Sequence, residues 1–78
     1  LTHPEAGATA RASLDRQVDG LAVLMEGEDA RLRAALVTSV MLGVTVGYQL
    51  LEVEALRQAD PEEIARLLRP ALRAITGQ

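Results

Sequence analysis

This 78-residue chain contains no cysteine and no lysine, and each absence removes a kind of chemistry. Without thiols there is no disulfide framework and no thiolate nucleophile, and a reducing compartment is permitted. Neither Ser13 nor Ser39 has a lysine or a nearby histidine that could activate its hydroxyl as a nucleophile. The single histidine, His3, has no second nitrogen or sulfur ligand at a useful spacing. The sequence therefore predicts no enzyme activity and no metal site.

The glycine and charge patterns narrow the function classes further. Gly43 and Gly47 lie inside an apolar run rather than in a strand-to-helix turn, so no phosphate-binding glycine loop or cofactor is predicted. The adjacent carboxylates Glu62 and Glu63 suit the start of a helix better than acid–base catalysis. A net charge of −3 gives no electrostatic reason for these residues to bind nucleic acid. What remains is a binding or interaction function.

The most conspicuous feature present is the run 34–51, eighteen residues without a formal charge. A helix this apolar must be covered by lipid or by protein. Gly43-x-x-x-Gly47 is a dimerising pattern of membrane helices, but the run would span only about 27 Å of a hydrocarbon core of about 30 Å. Four polar residues also interrupt it: Thr38, Ser39, Thr45 and Gln49. We predict a protein-covered helix and no membrane; a single span that dimerises through Gly43 and Gly47 is the alternative.

The spacing of apolar residues predicts an all-α fold of three helices, at about 9–25, 30–56 and 61–76. The first has one apolar stripe, and Asp29 is predicted to cap the second. The third begins with Asp60 as N-cap, Pro61 at the first position and Glu63 in a capping box. Its apolar face consists of Ile64, Leu67, Leu68, Ala71, Leu72 and Ile75.

Self-association is predicted because 49% of the residues are apolar, more than so small a monomer can bury. Small residues at four-residue spacing on the central helix would let a second backbone approach closely. A second copy of the chain is the simplest partner for this surplus apolar surface. The predicted interface residues are Ser39, Gly43, Gly47, Leu50, Ile64, Leu67, Leu68, Ala71, Leu72 and Ile75.

Several runs in order resemble one family: residues 29–36, 41–44, 51–56, 60–64 and 68–72. Together they resemble the C-terminal half of actinobacterial-type TetR family transcriptional regulators, over about 30–77 and more loosely over the first helix. The resemblance implies that the last two helices pair with their copies across a two-fold axis and form half of a four-helix-bundle homodimer interface. It also implies that helices nearer the middle of the domain enclose an effector pocket, where ligand binding changes the spacing of two DNA-binding heads.

We accordingly expect residues 1–78 to be the dimerisation and effector-sensing part of a cytoplasmic TetR-like repressor. The expected partners are a second copy and a small apolar effector, which Met41, Thr45 and Tyr48 are predicted to contact. DNA would be bound only by a helix-turn-helix domain absent from these residues, since the chain opens on Leu1 and is expected to be part of a longer protein. The alternative is a small helical interaction module without a DNA partner.

Overall fold

A computed structural model of the chain describes residues 4–77, and the described residues form helices and their connections. The predicted all-α fold is confirmed, while His3 lies outside the described residues. The elements are α1 (Pro4–Ala22), α2 (Ala30–Thr45), a π-helical segment (Val46–Leu50) that continues α2, α3 (Glu54–Gln58) and α4 (Pro61–Thr76).

The first helix begins and ends earlier than the apolar spacing predicts. It starts at Pro4 because proline suits the first turn and Glu5 lies favourably at the positive end of the helix dipole. It ends at Ala22, where the amides of Leu24 and Met25 donate to carbonyls three residues back, at 3.0 and 3.1 Å. The last turn therefore tightens, and Met25 lies in the connection to α2 rather than on the apolar stripe of α1.

The prediction that the second helix runs to residue 56 is wrong. Regular α-helix ends at Thr45, and the π-helical segment follows, with the Leu51 amide donating to the Val46 carbonyl at 2.9 Å. Glu52 then adopts a left-handed backbone with φ 51°, which reverses the chain. The Val53 amide donates back to the Gly47 carbonyl at 2.9 Å, so residues after Glu52 fold against the end of the central helix.

The two predicted helix starts have different outcomes. At α4 the Asp60 amide donates to Glu63 Oε1 at 3.0 Å, which confirms the predicted capping box. Asp29 occupies the N-cap position of α2, but its φ of 64° is left-handed and its side chain makes no capping hydrogen bond. A capping side chain reaches the first-turn amides from extended backbone, so the predicted capping bond of Asp29 is wrong.

The helices form a layer one helix thick. Both α1 and α4 pack on α2, and the arrangement is flat, with extents of 39 × 34 × 13 Å. The radius of gyration is 14.5 Å, against about 11.5 Å for a compact domain of this length. Because a single layer encloses no core, Val18 and Ala34 are the buried apolar side chains of the described part.

The layer exposes more surface than a self-contained domain does. Its accessible area is 6094 Å², whereas a compact monomer of this mass exposes about 4,600 Å². The difference of about 1,500 Å² exceeds the roughly 800 Å² that each partner buries in a standard protein interface. The layer therefore has enough uncovered surface to pack against another protein surface.

Ala30–Leu50, the helix formed by α2 and its π-helical continuation, is long and apolar enough to cross a membrane. That criterion uses length and composition, and a helix covered by protein satisfies it as well. On this helix Gly47 is buried within the chain while Gly43 is exposed. The Gly43-x-x-x-Gly47 pair is thus not one open strip available to a neighbouring helix.

Arg33 joins the start of α2 to two other parts of the layer. Its Nη1 donates to the Thr76 carbonyl at the end of α4 at 3.2 Å, and its Nη2 donates to the Glu26 carbonyl in the α1–α2 connection. The contact with Thr76 sets α4 antiparallel to α2. Its Nε is buried and has no hydrogen-bond partner among the described residues. The cost of burying this unpaired group lowers the net contribution of Arg33 to the stability of the fold.

Replacing Arg33 with methionine is expected to destabilise the chain by about 1 kcal/mol, because two hydrogen bonds are lost while the apolar stem is kept. Amide hydrogen exchange in the last turn of α4 should become faster, and urea unfolding gives the free energy.

Arg31→Met is the matched control. Arg31 Nε lies 2.7 Å from Asp19 Oδ1, and this hydrogen bond and the carboxylate charge raise the pKa of the already fully protonated Arg31. Both side chains are exposed, so losing the pair should leave stability unchanged. Equal destabilisation by the two variants would contradict the role of Arg33.

Candidate functional site

One side of the layer is an uncovered apolar surface, which we call the leucine face. On α2 it comprises residues three or four apart, which share one side of a helix: Leu32, Leu36, Ser39 and Gly43. All four are exposed. On the antiparallel α4, the side chains that pack on α2 include Ile64, Leu68 and Leu72, and helical geometry then places the exposed Leu67 and Ala71 on the same side of the layer as Leu36.

The predicted dimer-interface residues fall into three environments. Ser39, Gly43, Leu67 and Ala71 are exposed on the leucine face, and Leu50 is exposed at the end of the π-helical segment. Gly47 is buried inside the chain. The others are half-buried within the layer: Ile64, Leu68, Leu72 and Ile75. The apolar stripe of α4 therefore divides, with one part packing on α2 and the other uncovered.

The two glycines of the central helix differ in what surrounds them. A Cβ added at Gly43 would meet nothing within 4 Å. A Cβ added at Gly47 would lie 2.9 Å from Leu56 Cδ1 and 3.8 Å from Val53 Cγ2. The close approach that small residues permit thus occurs at Gly47 within the chain, between the π-helical segment and α3.

The opposite side of the layer carries a groove between α1 and α2, which we call the threonine groove. Its volume is about 330 Å³, within the range of small-molecule sites. Its lining residues are uncharged and come from both helices: Leu14, Gln17, Leu21, Val37, Thr38, Met41, Leu42 and Thr45. Two of the three predicted effector contacts, Met41 and Thr45, therefore line one groove.

Tyr48, the third predicted effector contact, lies elsewhere. It follows the start of the π-helical segment, and its ring is 5.5 Å from the guanidinium carbon of Arg57, a cation–π arrangement. Arg57 Nη1 also lies 3.6 Å from Glu52 Oε1, so Tyr48 belongs to a cluster at the chain reversal. Tyr48 is not among the residues that line the threonine groove.

Sequence reasoning did not identify the contribution of α1 to the groove. Leu14 and Leu21 belong to the predicted apolar stripe, whose spacing signals burial but not what it packs against. Gln17 is exposed beside that stripe, and no feature of the sequence marks it as a binding residue. Pairing of α1 with α2 brings these three residues opposite Met41 and Thr45.

A thin wall of side chains separates the threonine groove from the leucine-face side. A second groove between α1 and α2, of about 430 Å³, is lined by Ser39 and Ala35 and by the charged Arg11 and Asp15. The two grooves share three lining residues: Leu14, Thr38 and Leu42. Displacement of a shared side chain in one groove would therefore change the volume of the other.

Groups suited to metal binding are absent from the part of the chain that the structure describes, where no three His, Cys, Asp or Glu side chains cluster. The polar atoms of the threonine groove are amide and hydroxyl groups. Thr45 Oγ1 donates to the Met41 carbonyl at 2.8 Å within its own helix, so its lone pairs remain available to accept. The chemistry offered is hydrogen bonding in an apolar setting.

Comparison with known proteins identifies the family. The family described as "Tetracyclin repressor-like, C-terminal domain" matches residues 1–75. No curated protein and no solved structure matches the chain. The match confirms the resemblance seen in the sequence, and such domains belong to regulators rather than enzymes. The chain belongs to the TetR-like C-terminal domain family.

Proposed function

We propose that this chain is the dimerisation and effector-sensing part of a TetR-like transcriptional repressor. The observation that carries the proposal is the uncovered leucine face, whose apolar residues come from both α2 and α4. Two copies related by a two-fold axis would pack these helices as a four-helix bundle, with Gly43 and Ser39 allowing close approach at the crossing. Leu50 would extend the interface at the end of the central helix.

The half-buried part of the α4 stripe supports this interface indirectly. Ile64, Leu68, Leu72 and Ile75 pack α4 on α2, so the two helices present their exposed residues as one surface. We propose that these residues fix the position of α4 on α2 and do not contact the second copy. Ala71 and Leu67 would make the contact on α4.

Effector sensing is proposed for the threonine groove. Met41 offers a flexible thioether and Thr45 a hydroxyl oxygen to a small apolar molecule. The shared wall of Leu14, Thr38 and Leu42 supports a route from the groove to the dimer side, because a bound molecule would press on residues that both sides use. Tyr48 is left out of this site, since it stacks near Arg57.

DNA binding is proposed to reside in a helix-turn-helix domain of the same cytoplasmic protein, outside these residues. The net charge of −3 supports this division, because phosphate contacts need a basic surface. Effector binding would change the spacing of two such domains in the dimer.

Sedimentation of the purified full-length protein over a range of concentrations tests the proposal. A dimer that persists at micromolar concentration is expected. A monomer throughout that range would remove the homodimer, and with it the repressor architecture proposed here.

A further inference from the structure

We propose that the threonine groove selects an uncharged, elongated apolar molecule with one hydrogen-bonding group, and that Gln17 determines this selectivity. The inference rests on the proposed effector-sensing function and names the class of effector.

The shape of the groove favours an elongated molecule. Its lining on α2 extends from Val37 to Thr45, which corresponds to about 12 Å along the helix axis. Leu14 and Leu21 line it on α1 over a similar length. A groove of about 330 Å³ that follows two antiparallel helices accommodates a chain-like molecule better than a compact one.

The charge of the lining favours a neutral molecule. All of its side chains are uncharged, whereas the second groove across the shared wall contains Arg11 and Asp15. A carboxylate or ammonium group beside Gln17 would find no counter-ion on the lining. A neutral amide or alcohol needs no counter-ion and can form hydrogen bonds with the amide and hydroxyl groups of the groove.

Gln17 is suited to recognise the polar group of the molecule. It is the only lining side chain that offers both an N–H donor and a carbonyl acceptor. It lies on the exposed side of α1, one turn from both Leu14 and Leu21. The apolar part would pack on those leucines while the polar group reaches the carboxamide.

Four probes with ten carbon atoms each test the inference: decanamide, decanol, decanoate and decylammonium, with the neutral probes kept below their solubility limits and the charged probes below their micelle concentrations. Isothermal titration against the full-length protein should give saturable binding of decanamide and decanol, at least about tenfold tighter than that of either charged probe. Decanoate binding as tight as decanamide binding would overturn the inference, and so would binding of none of the four.

The variant Gln17→Glu should invert the order by supplying a counter-ion. Decylammonium is then expected to bind about tenfold tighter than to the unmodified protein, and decanamide more weakly. Gln49→Glu adds the same charge at an exposed position on the π-helical segment that does not line the groove, and should leave all four affinities unchanged. Equal responses of the two variants would show adsorption of the alkyl chain to exposed apolar surface and overturn the inference.

Failure of this inference and failure of the proposed function are separable. A protein that forms dimers in sedimentation but does not discriminate between the probes contradicts only the effector class. A monomer that still discriminates between the probes contradicts only the dimeric repressor.

Discussion

Replacing Leu36 and Leu67 together with glutamate is expected to leave the chain folded but monomeric. In the single layer these side chains are 46% and 66% exposed, so the new carboxylates would remain hydrated in the monomer. In the proposed dimer both would be buried against apolar residues without a cation to pair with. Association should weaken by at least about 100-fold, which corresponds to about 3 kcal/mol.

Sedimentation velocity gives the association constant, and circular dichroism confirms that the helices persist. The matched control is Val23→Glu with Leu24→Glu, since these residues are 82% and 79% exposed in the α1–α2 connection and are not residues of the leucine face. The control pair should leave the dimer intact. If both pairs weaken association equally, exposed apolar surface in general drives it, and the leucine face has no special role.

The second large effect is expected at Gly47. A leucine side chain there would occupy the space of Leu56, whose Cδ1 already lies 2.9 Å from an added Cβ. Leu56 would have to leave, and α3 would lose its packing on the π-helical segment. We expect Gly47→Leu to destabilise the folded chain by about 2–3 kcal/mol.

Gly43→Ala should act in the opposite direction on folding. An added Cβ meets nothing within 4 Å, so the higher helix propensity of alanine should stabilise the monomer by up to about 1 kcal/mol. Both glycine variants are best measured by urea unfolding in the monomeric Leu36→Glu, Leu67→Glu background, which separates folding from association. Equal stability of the two variants would contradict the intrachain role of Gly47.

Leucine substitutions at both glycines separate two explanations of the small-residue pattern. A contact between copies at both positions predicts that Gly43→Leu and Gly47→Leu weaken association alike. The structure instead leads us to expect that Gly43→Leu weakens the dimer with little effect on monomer stability. Gly47→Leu should unfold the end of the central helix at any concentration.

Local signals in the sequence were reliable because their causes are local. The start of α4 depends on Asp60, Pro61 and Glu63, which interact within one turn, so their order along the chain is sufficient to predict it. The apolar stripe of α1 likewise follows from the helical repeat. The family resemblance drew on runs of this kind and was correct.

Sequence patterns mispredict the features that depend on contacts between residues far apart in the chain. Leucine, alanine and glutamate, which favour helices, continue through residues 51–56, and nothing in that composition marks the left-handed backbone of Glu52 that ends the helix. Gly47 and Gly43 look equivalent at four-residue spacing, although only Gly47 meets Leu56. Regular helical geometry would place Tyr48 on the same side as Met41 and Thr45, but the π-helical segment departs from that geometry.

The sequence by itself determined that the protein is helical and that it belongs with TetR-like C-terminal domains. The covering of its central helix by a second copy stays a prediction. Helical periodicity, capping and composition are properties of neighbouring residues, so they can be read without coordinates. Only the tertiary structure decided which side of the central helix is covered by α1, by α4 or by α3, and which side is left open. That choice depends on the chain reversal at Glu52 and on the pairing of α1 with α2, which bring together residues far apart in the sequence.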